Sequence, residues 1–192
     1  MIQSNILRRL IRILKRVKII VDVGSGNVNN YIRRVAEDNP ETHFYLFDYE
    51  YKHNIDAENI HLGKADVSKK IPMKDRISDI TTAFSVLPMI AMEKGFKEST
   101  AAFTELLRIT KQGGYLVITT PKTIYFASKQ GLKRVNVKEI FEKFGLKVEK
   151  EPLFGAGEFI CKKVKDVIAP GWIFFHDNSK LALRQFGKIS RT

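Results

Sequence analysis

A glycine-rich turn and the carboxylate that follows it are the residues of this chain best placed to do chemistry. Gly24 and Gly26 interrupt a short run rich in β-branched residues, and a helical pattern begins directly afterwards. Glycines let a ligand approach the backbone closely, and the first turn of a helix presents free N–H groups to an anion. Asp48 follows Gly26 by 22 residues, and a carboxylate at about this distance can accept both hydroxyls of a ribose. The combination predicts a site for an adenosine-type ligand.

Two further residues narrow the class of ligand. A dinucleotide site carries a third glycine in the pattern G-x-G-x-x-G, whereas this chain has Asn29 there. The triphosphate-binding pattern G-x-x-x-x-G-K-[ST] does not occur in the sequence. Asp22 lies two residues before the first glycine, where it would repel a pyrophosphate and would suit a ligand with a cation at that end. A nicotinamide-dependent oxidoreductase is therefore disfavoured.

The hydrophobic pattern predicts the elements that must position this turn. Strands and helices alternate along the chain, and the predicted fold is α/β, a doubly wound, seven-stranded, mostly parallel sheet with a C-terminal antiparallel β-hairpin. Pro152 lies in the sixth predicted strand and cannot donate to a ladder, so that strand should lie at an edge. Strands are predicted over 18–23, 42–47, 60–65, 77–84, 115–120, 146–154 and 158–164, and helices over 2–16, after Gly26, over 95–110, and between Asn136 and Gly145.

Four segments, in this order, resemble the class I S-adenosylmethionine-dependent methyltransferases. Residues 22–28 resemble the first motif [D/E]-x-G-x-G-x-G, with Val28 in place of the third glycine, and residues 44–48 resemble the second strand with its ribose acid. Residues 64–87 resemble the loop in which an acid meets the adenine amino group, followed by the fourth strand and its turn. Residues 105–118 resemble the segment E-x-x-R-v-L-K-P-G-G-x-L-x-I, with Gln112 for proline. The resemblance spans roughly residues 18–164.

This resemblance implies S-adenosylmethionine as cofactor and methyl transfer as the reaction. It implies that the backbone of Gly24, Ser25 and Gly26 holds the methionine portion, with Asp22 near its amino end and Asp48 on the ribose. It assigns no catalytic residue, because Pro88 and Met89 follow the fourth strand where many small-molecule members carry histidine. The other residues that it implies for the cofactor are Tyr49 against adenine, Asp66 on the adenine amino group, Val67 beside the ring, and Phe84 and Ser85 at the border of the methyl-transfer pocket.

Composition and charge limit the remaining possibilities. The chain has 192 residues, 28% of them charged, and a single cysteine, Cys161, so an intramolecular disulfide and a cysteine-based zinc site are excluded. No apolar run approaches a membrane span, and we expect a cytoplasmic protein without a secretory signal. The net charge of +12 is concentrated at the two ends: residues 1–20 carry six basic and no acidic side chains, and residues 161–192 carry seven basic and two acidic ones.

These features predict three parts: a basic amphipathic helix over 1–17, a cofactor-binding methyltransferase domain over 18–165, and a basic, aromatic extension over 166–192. The sequence leaves the methyl acceptor open among a small molecule, a protein and RNA, and it leaves the oligomeric state open. The first helix could lie on a membrane, cap the pocket or pack on the sheet. The alternative function is a non-catalytic Rossmann-like binding protein whose basic ends engage nucleic acid.

Overall fold

A seven-stranded sheet forms the centre of the molecule. The computed structural model describes residues 2–26, 30–50, 57–128, 131–152 and 156–166. The strands of this part are β1 Ile19–Val23, β2 His43–Asp48, β3 Ile60–Lys64, β4 Ser78–Ala83, β5 Thr110–Pro121, β6 Thr123–Ser128, β7 Gly131–Asn136, β8 Leu146–Lys150 and β9 Ala156–Lys163. The helices are α1 Ile2–Leu14, α2 Asn30–Glu37, α3 Val86–Glu93, α4 Phe96–Ile109 and α5 Val137–Lys143.

The strand order of the main sheet is β3-β2-β1-β4-β5-β9-β8. Strands β1 to β5 pair in parallel, whereas β9 runs antiparallel to both β5 and β8. This arrangement confirms the predicted fold class, including the antiparallel hairpin at the end. The strand order reverses at β1, which lies between β2 and β4. Open α/β sheets bind ligands beyond the carboxyl ends of the strands at such a reversal, so the topology places the glycine turn at the expected position.

Helices cover both faces of the sheet and divide the core into two clusters. One cluster joins α3, α4 and α5 to the sheet, with Phe103, Phe141 and Phe159 in ring contact. The other joins α1 and α2 to the opposite face. Strand β1 is buried from its second to its fifth residue, as expected for a parallel strand covered on both sides.

Helix α1 packs against the body with one face and leaves its cations outside. Ile6, Leu7 and Leu10 are buried in the cluster that covers β1 and β2, whereas Arg9 and Arg12 are exposed. Of the three placements considered for this segment, the structure therefore shows packing on the sheet. Within the described part of the chain, no helix is both long and apolar enough to cross a membrane.

The segment around Arg108 ties the chain after β3 to α4. The Arg108 guanidinium donates to the carbonyl oxygens of Ile71 and Met73 at 2.9 and 2.8 Å, and it binds the carboxylates of Asp75 and Glu105 at 2.6 and 2.7 Å. The Glu105 carboxylate in turn accepts from the Ile71 N–H at 2.9 Å. The E-x-x-R part of the fourth resembling segment thus fixes the loop between β3 and β4 to α4, since its side chains bond to backbone groups of that loop that lie outside any strand.

One helix and one β-hairpin were missed by the sequence analysis. Helix α3 was absent from the prediction because its apolar sequence has no clear helical period and contains Pro88, which the first turn of a helix tolerates. The hairpin β6–β7 was also absent from the prediction. At the open end of this hairpin, the Val137 N–H donates to the Lys122 carbonyl at 3.0 Å.

The other elements agree with the predicted ones, with shifted ends. Strand β8 lies at the edge as Pro152 predicted, but it ends at Lys150, and Pro152 packs near Gly157 beyond it. Helix α5 begins after Asn136, whose side chain accepts from the Lys138 N–H, and Gly145 follows its end with φ of 74°, as predicted for its two ends.

Candidate functional site

The turn after β1 requires glycine at position 24 because another helix approaches it. Gly24 has φ of 71°, and a Cβ atom placed there would lie 2.2 Å from Cγ2 of Val86 at the start of α3. The Gly24 N–H donates to the Phe47 carbonyl at 2.7 Å, which fastens the turn to the end of β2. The glycine therefore lets three elements meet at the carboxyl edge of the sheet: β1, β2 and α3.

Gly26 and Asp48 are joined directly. The Gly26 N–H donates to Oδ2 of Asp48 at 2.7 Å, and Oδ1 of Asp48 accepts from the Glu50 N–H at 3.1 Å. Gly26 has φ of 59°, and a Cβ atom added there would have no heavy-atom neighbour within 4 Å among the described residues. The carboxylate thus points to the glycine turn.

Asp22 is buried under this turn, with 2% of its surface exposed. The Thr82 hydroxyl of β4 donates to its Oδ1. Burial raises the pKa of Asp22 to about 7; the hydrogen bond from Thr82 lowers it, and the nearby Asp48 carboxylate raises it further. Two carboxylates therefore share one corner of the sheet, and the buried one titrates near neutral pH. A cation brought close to such a group would stabilise its ionised form.

A second cluster lies at the ends of β2 and β3 and contains Tyr49, Asp66 and Lys94. Oδ1 of Asp66 accepts from the Ser68 hydroxyl at 2.6 Å and from the Ser68 N–H at 3.1 Å, and Oδ2 accepts from Nζ of Lys94 at 2.9 Å. The Ser68 hydroxyl, with help from Lys94, holds the pKa of Asp66 below its usual value. The Tyr49 ring is exposed, and Nζ of Lys94 lies 5.5 Å from its centroid.

Comparison with solved structures identifies the fold. A SAM-dependent methyltransferase from Aquifex aeolicus is 18% identical, with a TM-score of 0.51 over 79% of this chain and 88% of that one. The 1,6-didemethyltoxoflavin-N1-methyltransferase of Burkholderia thailandensis, solved with bound 1,6-didemethyltoxoflavin and S-adenosylhomocysteine, is 13% identical, with a TM-score of 0.53 over 84% and 76%. This chain has the class I methyltransferase fold. At these identities the likeness extends to the fold alone.

The methyltransferase fold also carries another chemistry among the similar structures. The [4+2]-cyclase SpnF is 17% identical to this chain, with a TM-score of 0.53 over 77% of this chain and 58% of that one. No protein-family model matches the chain, and no curated protein matches it. The reaction must therefore be argued from the site itself, because one fold can host several functions.

The remaining residues implied for the cofactor occupy different depths at this edge of the methyltransferase fold. Ser25 is 2% exposed and lies inside the turn, and Val67 is buried in the core cluster that also contains residues of α3 and α4. Phe84 is partly buried and packs toward the α1 face of the sheet. Ser85 is exposed, with φ of 62°. This left-handed conformation at the junction of β4 and α3 costs about 1 kcal/mol or more for a residue with a Cβ atom, and it directs the chain into α3 beside Gly24.

The histidines and the cysteine of the described part lie away from this edge. His43 and His61 contact each other at 3.1 Å at the amino ends of β2 and β3, as expected from their places in the predicted strands. Burial, and then the neighbouring His43, lowers the pKa of His61. Cys161 is fully buried in β9, and burial raises the pKa of its thiol. Val28, Asn29, His53 and the segment with Trp172, Phe174, Phe175 and His176 lie outside the described residues.

A groove elsewhere in the molecule is separate from this site. It has a volume of about 450 Å³ and lies between α1 and the strands β8 and β9, with Ile6, Leu10 and Ile160 in its lining. None of the residues implied for the cofactor lines it.

Lys94 is a residue of the second cluster that the sequence analysis missed. It follows α3, the helix that was not predicted, and 28 residues separate it from Asp66. No local spacing pattern connects the two residues, so only the folded chain brings them together.

Proposed function

We propose that this chain is an S-adenosylmethionine-dependent methyltransferase. The observation that carries the proposal is the bond from the Gly26 N–H to Asp48, because it aims the carboxylate at the glycine turn. A carboxylate at the end of the second strand, beside a glycine turn at the sheet's reversal point, is placed to accept ribose hydroxyls. The fold supports the proposal, since solved methyltransferases share it.

The residues present fit the cofactor at both of its ends. Asp22 has a raised pKa and accepts a hydrogen bond from Thr82, and a ligand ammonium nearby would stabilise its ionised form. Tyr49 offers an exposed ring for adenine, and Asp66 offers a carboxylate for the adenine amino group. Gly24, Ser25 and Gly26 would hold the methionine portion, Val67 would lie beside the adenine, and Phe84 and Ser85 would border the acceptor.

Methyl transfer requires little from the side chains beyond holding the reactants in position. The cofactor, when bound, supplies a methyl group that its sulfonium already makes electrophilic. The chain has to align this methyl group with the acceptor's nucleophile and to exclude water. A general base is needed only when the acceptor is protonated at neutral pH. We therefore assign no catalytic residue and leave the acceptor open among a small molecule, a protein and RNA.

Calorimetry tests this function directly. S-adenosylmethionine, S-adenosylhomocysteine and NAD are titrated into the wild type, into Asp48→Ala and into Glu58→Gln, an exposed carboxylate in the turn before β3 that serves as the matched control. We expect micromolar binding of both adenosyl ligands by the wild type and the control, no binding by Asp48→Ala, and no binding of NAD. Binding of NAD alone, or equal binding by Asp48→Ala, would contradict the proposal.

A second candidate function rests on the outward face of α1. Arg9, Arg12, Lys15 and Arg16 are exposed on or just after this helix, and such a row of cations can hold the phosphates of a nucleic acid. The candidate is a non-catalytic protein that kept the fold and binds RNA. Salt-sensitive RNA binding without any binding of S-adenosylhomocysteine would favour it. The predicted extension 166–192, which also carries basic residues, lies almost entirely outside the described part of the chain.

A further inference from the structure

Lys94 connects the two side chains that the proposed function assigns to adenine. Its Nζ atom lies 2.9 Å from Oδ2 of Asp66 and 5.5 Å from the centroid of the Tyr49 ring. The side chain is 38% exposed, and its backbone is fixed at the end of α3, where its N–H donates to the Ile90 carbonyl at 2.8 Å. The ammonium group therefore lies over the exposed ring and in contact with the carboxylate, and Nζ of Lys64 lies 5.9 Å from the same ring centroid.

The two groups offer complementary hydrogen bonds. Both donors of Ser68 bind Oδ1 of Asp66, so Oδ2 is the oxygen that remains for a ligand to share with Lys94. A carboxylate only accepts and an ammonium only donates. Adenine presents the opposite pair, an amino group that donates and ring nitrogens beside it that accept. A base stacked on Tyr49 would thus meet an acceptor and a donor only 2.9 Å apart.

We propose that Lys94 is a specificity-determining residue that reads the base of the cofactor. It donates to a ring nitrogen of adenine while Asp66 accepts from the adjacent amino group. This inference rests on the proposed function and extends it to the choice of base. A hypoxanthine base carries a carbonyl oxygen in place of the amino group and a proton on the adjacent ring nitrogen. Its oxygen would therefore face the Asp66 carboxylate and its ring N–H would face the Lys94 ammonium, so the base would be rejected at both positions.

Lys69 supplies the matched control. Its Nζ atom lies 3.9 Å from the same oxygen of Asp66, so it contributes a similar charge to the same carboxylate. Its side chain is 82% exposed, however, compared with 38% for Lys94. An effect of charge alone should therefore appear in both variants, whereas a contact with the base should appear only at Lys94.

The experiment titrates S-adenosylhomocysteine and its deaminated analogue, S-inosylhomocysteine, into the wild type, Lys94→Met, Lys94→Arg and Lys69→Met. We expect the wild type to prefer the adenine form by about tenfold or more, as a matched pair of base contacts does. We expect Lys94→Met to bind the adenine form about fivefold more weakly and to lose part of that preference, because Asp66 still repels the carbonyl oxygen of the other base. Lys94→Arg should retain the preference because it keeps a donor, and Lys69→Met should behave as the wild type.

The outcomes separate this inference from the function on which it rests. Wild-type binding of S-adenosylhomocysteine with an unchanged base preference in Lys94→Met would overturn the role of Lys94 and leave the proposed function standing. Tighter binding by Lys94→Met would also overturn it, because Lys94 would then compete with adenine for Asp66. Failure of the wild type to bind either ligand would overturn the proposed function together with the inference. Melting temperatures of the four proteins check folding, since an exposed ion pair contributes at most about 1 kcal/mol.

Discussion

Charged residues at the two ends of the sheet have different partners. At the amino end, Oδ2 of Asp79 accepts from the N–H groups of Lys18 and Ile19 at 2.8 and 2.9 Å, and Oδ1 binds the Lys111 ammonium at 2.6 Å. At the carboxyl end, the described partners of Asp22 and Asp48 are a hydroxyl and two backbone N–H groups, and the negative charge of Asp48 raises the pKa of Asp22.

This difference indicates where stability and where binding reside. A carboxylate paired with a cation and with backbone donors holds elements together. Two neighbouring carboxylates, one of them buried, lower the stability of the empty fold and gain from a cationic ligand. Substitutions of the charged residues at the amino end should therefore lower the stability of the fold and leave ligand binding unchanged. Substitutions of the carboxylates at the carboxyl end should weaken ligand binding and leave stability unchanged.

The largest loss of stability is expected at Lys163, which is 3% exposed near the amino end. Its Nζ atom donates to the carbonyls of Leu107 and Thr110 at 2.8 and 2.9 Å and binds Asp166 at 2.6 Å. Lys163→Met removes this donor from the carbonyls of Leu107 in α4 and Thr110 in β5, and we expect a loss of about 3 kcal/mol in the free energy of unfolding. Urea denaturation measures it. The affinity of the folded variant for S-adenosylhomocysteine should stay within about twofold of the wild-type value. Such a change is smaller than tenfold, which would correspond to about 1.4 kcal/mol.

A smaller effect is expected at the glycine turn, where two glycines differ. Gly24→Ala places a Cβ atom against Val86 at the start of α3, so we expect a loss of about 2 to 3 kcal/mol in stability as well as weaker cofactor binding. Gly26→Ala meets no neighbour among the residues that the structure describes, so we expect only the loss that follows from its positive φ, about 1 to 2 kcal/mol. Thermal unfolding of both variants tests the order, and an equal loss would show that Val86 makes room.

The carboxylates of the two ends give a direct contrast. Asp79→Asn loses the ion pair with Lys111 and one strong acceptor, so we expect it to be less stable by about 1 to 2 kcal/mol. Asp48→Asn removes a negative charge from beside Asp22, so its stability should be unchanged or higher. Binding of S-adenosylhomocysteine should be lost in Asp48→Asn and kept in Asp79→Asn. Destabilisation of both variants to the same extent would remove the distinction between the two ends.

A further effect is a pH dependence of stability that originates at Asp22. Its pKa is raised from 3.8 to about 7 in the folded chain, so the folded state holds the proton more tightly than the unfolded state. This contribution to stability is fully present below pH 3.8 and is lost as the pH rises toward 7. Asp22→Asn keeps an acceptor for Thr82 and cannot titrate. Between pH 5 and 7.5, roughly, the wild type should lose stability relative to this variant by about 2 kcal/mol.

Ligand affinity should show the opposite trend with pH. If the ammonium of the cofactor lies near Asp22, binding favours the ionised carboxylate and releases its proton. Affinity for S-adenosylhomocysteine should therefore rise as the pH increases through about 7. In Asp22→Asn this rise should be absent. Calorimetry in buffers of different ionisation enthalpy detects the proton release, and a wild type without it would show that the ammonium lies elsewhere.

The sequence predicted the fold because the strands near the site are short, largely apolar and alternate with helical patterns along the chain. It also predicted that Asp48 and the turn would meet, since the carboxyl ends of neighbouring parallel strands lie together. It could not predict α3, whose sequence lacks a helical period, and it therefore missed the contact of Val86 with Gly24 and the position of Lys94. Contacts between residues far apart in the chain, such as Lys94 and Asp66, depend on packing that no local pattern encodes.

The account depends most on the glycine turn and Asp48 acting as one binding site. A crystal structure determined with S-adenosylhomocysteine tests this directly. We predict ribose hydroxyls on the Asp48 carboxylate, the amino group of the ligand near Asp22 and the base against Tyr49. A ligand bound in the groove beside α1, or one bound with Asp48 still joined only to Gly26 and Glu50, would contradict the account.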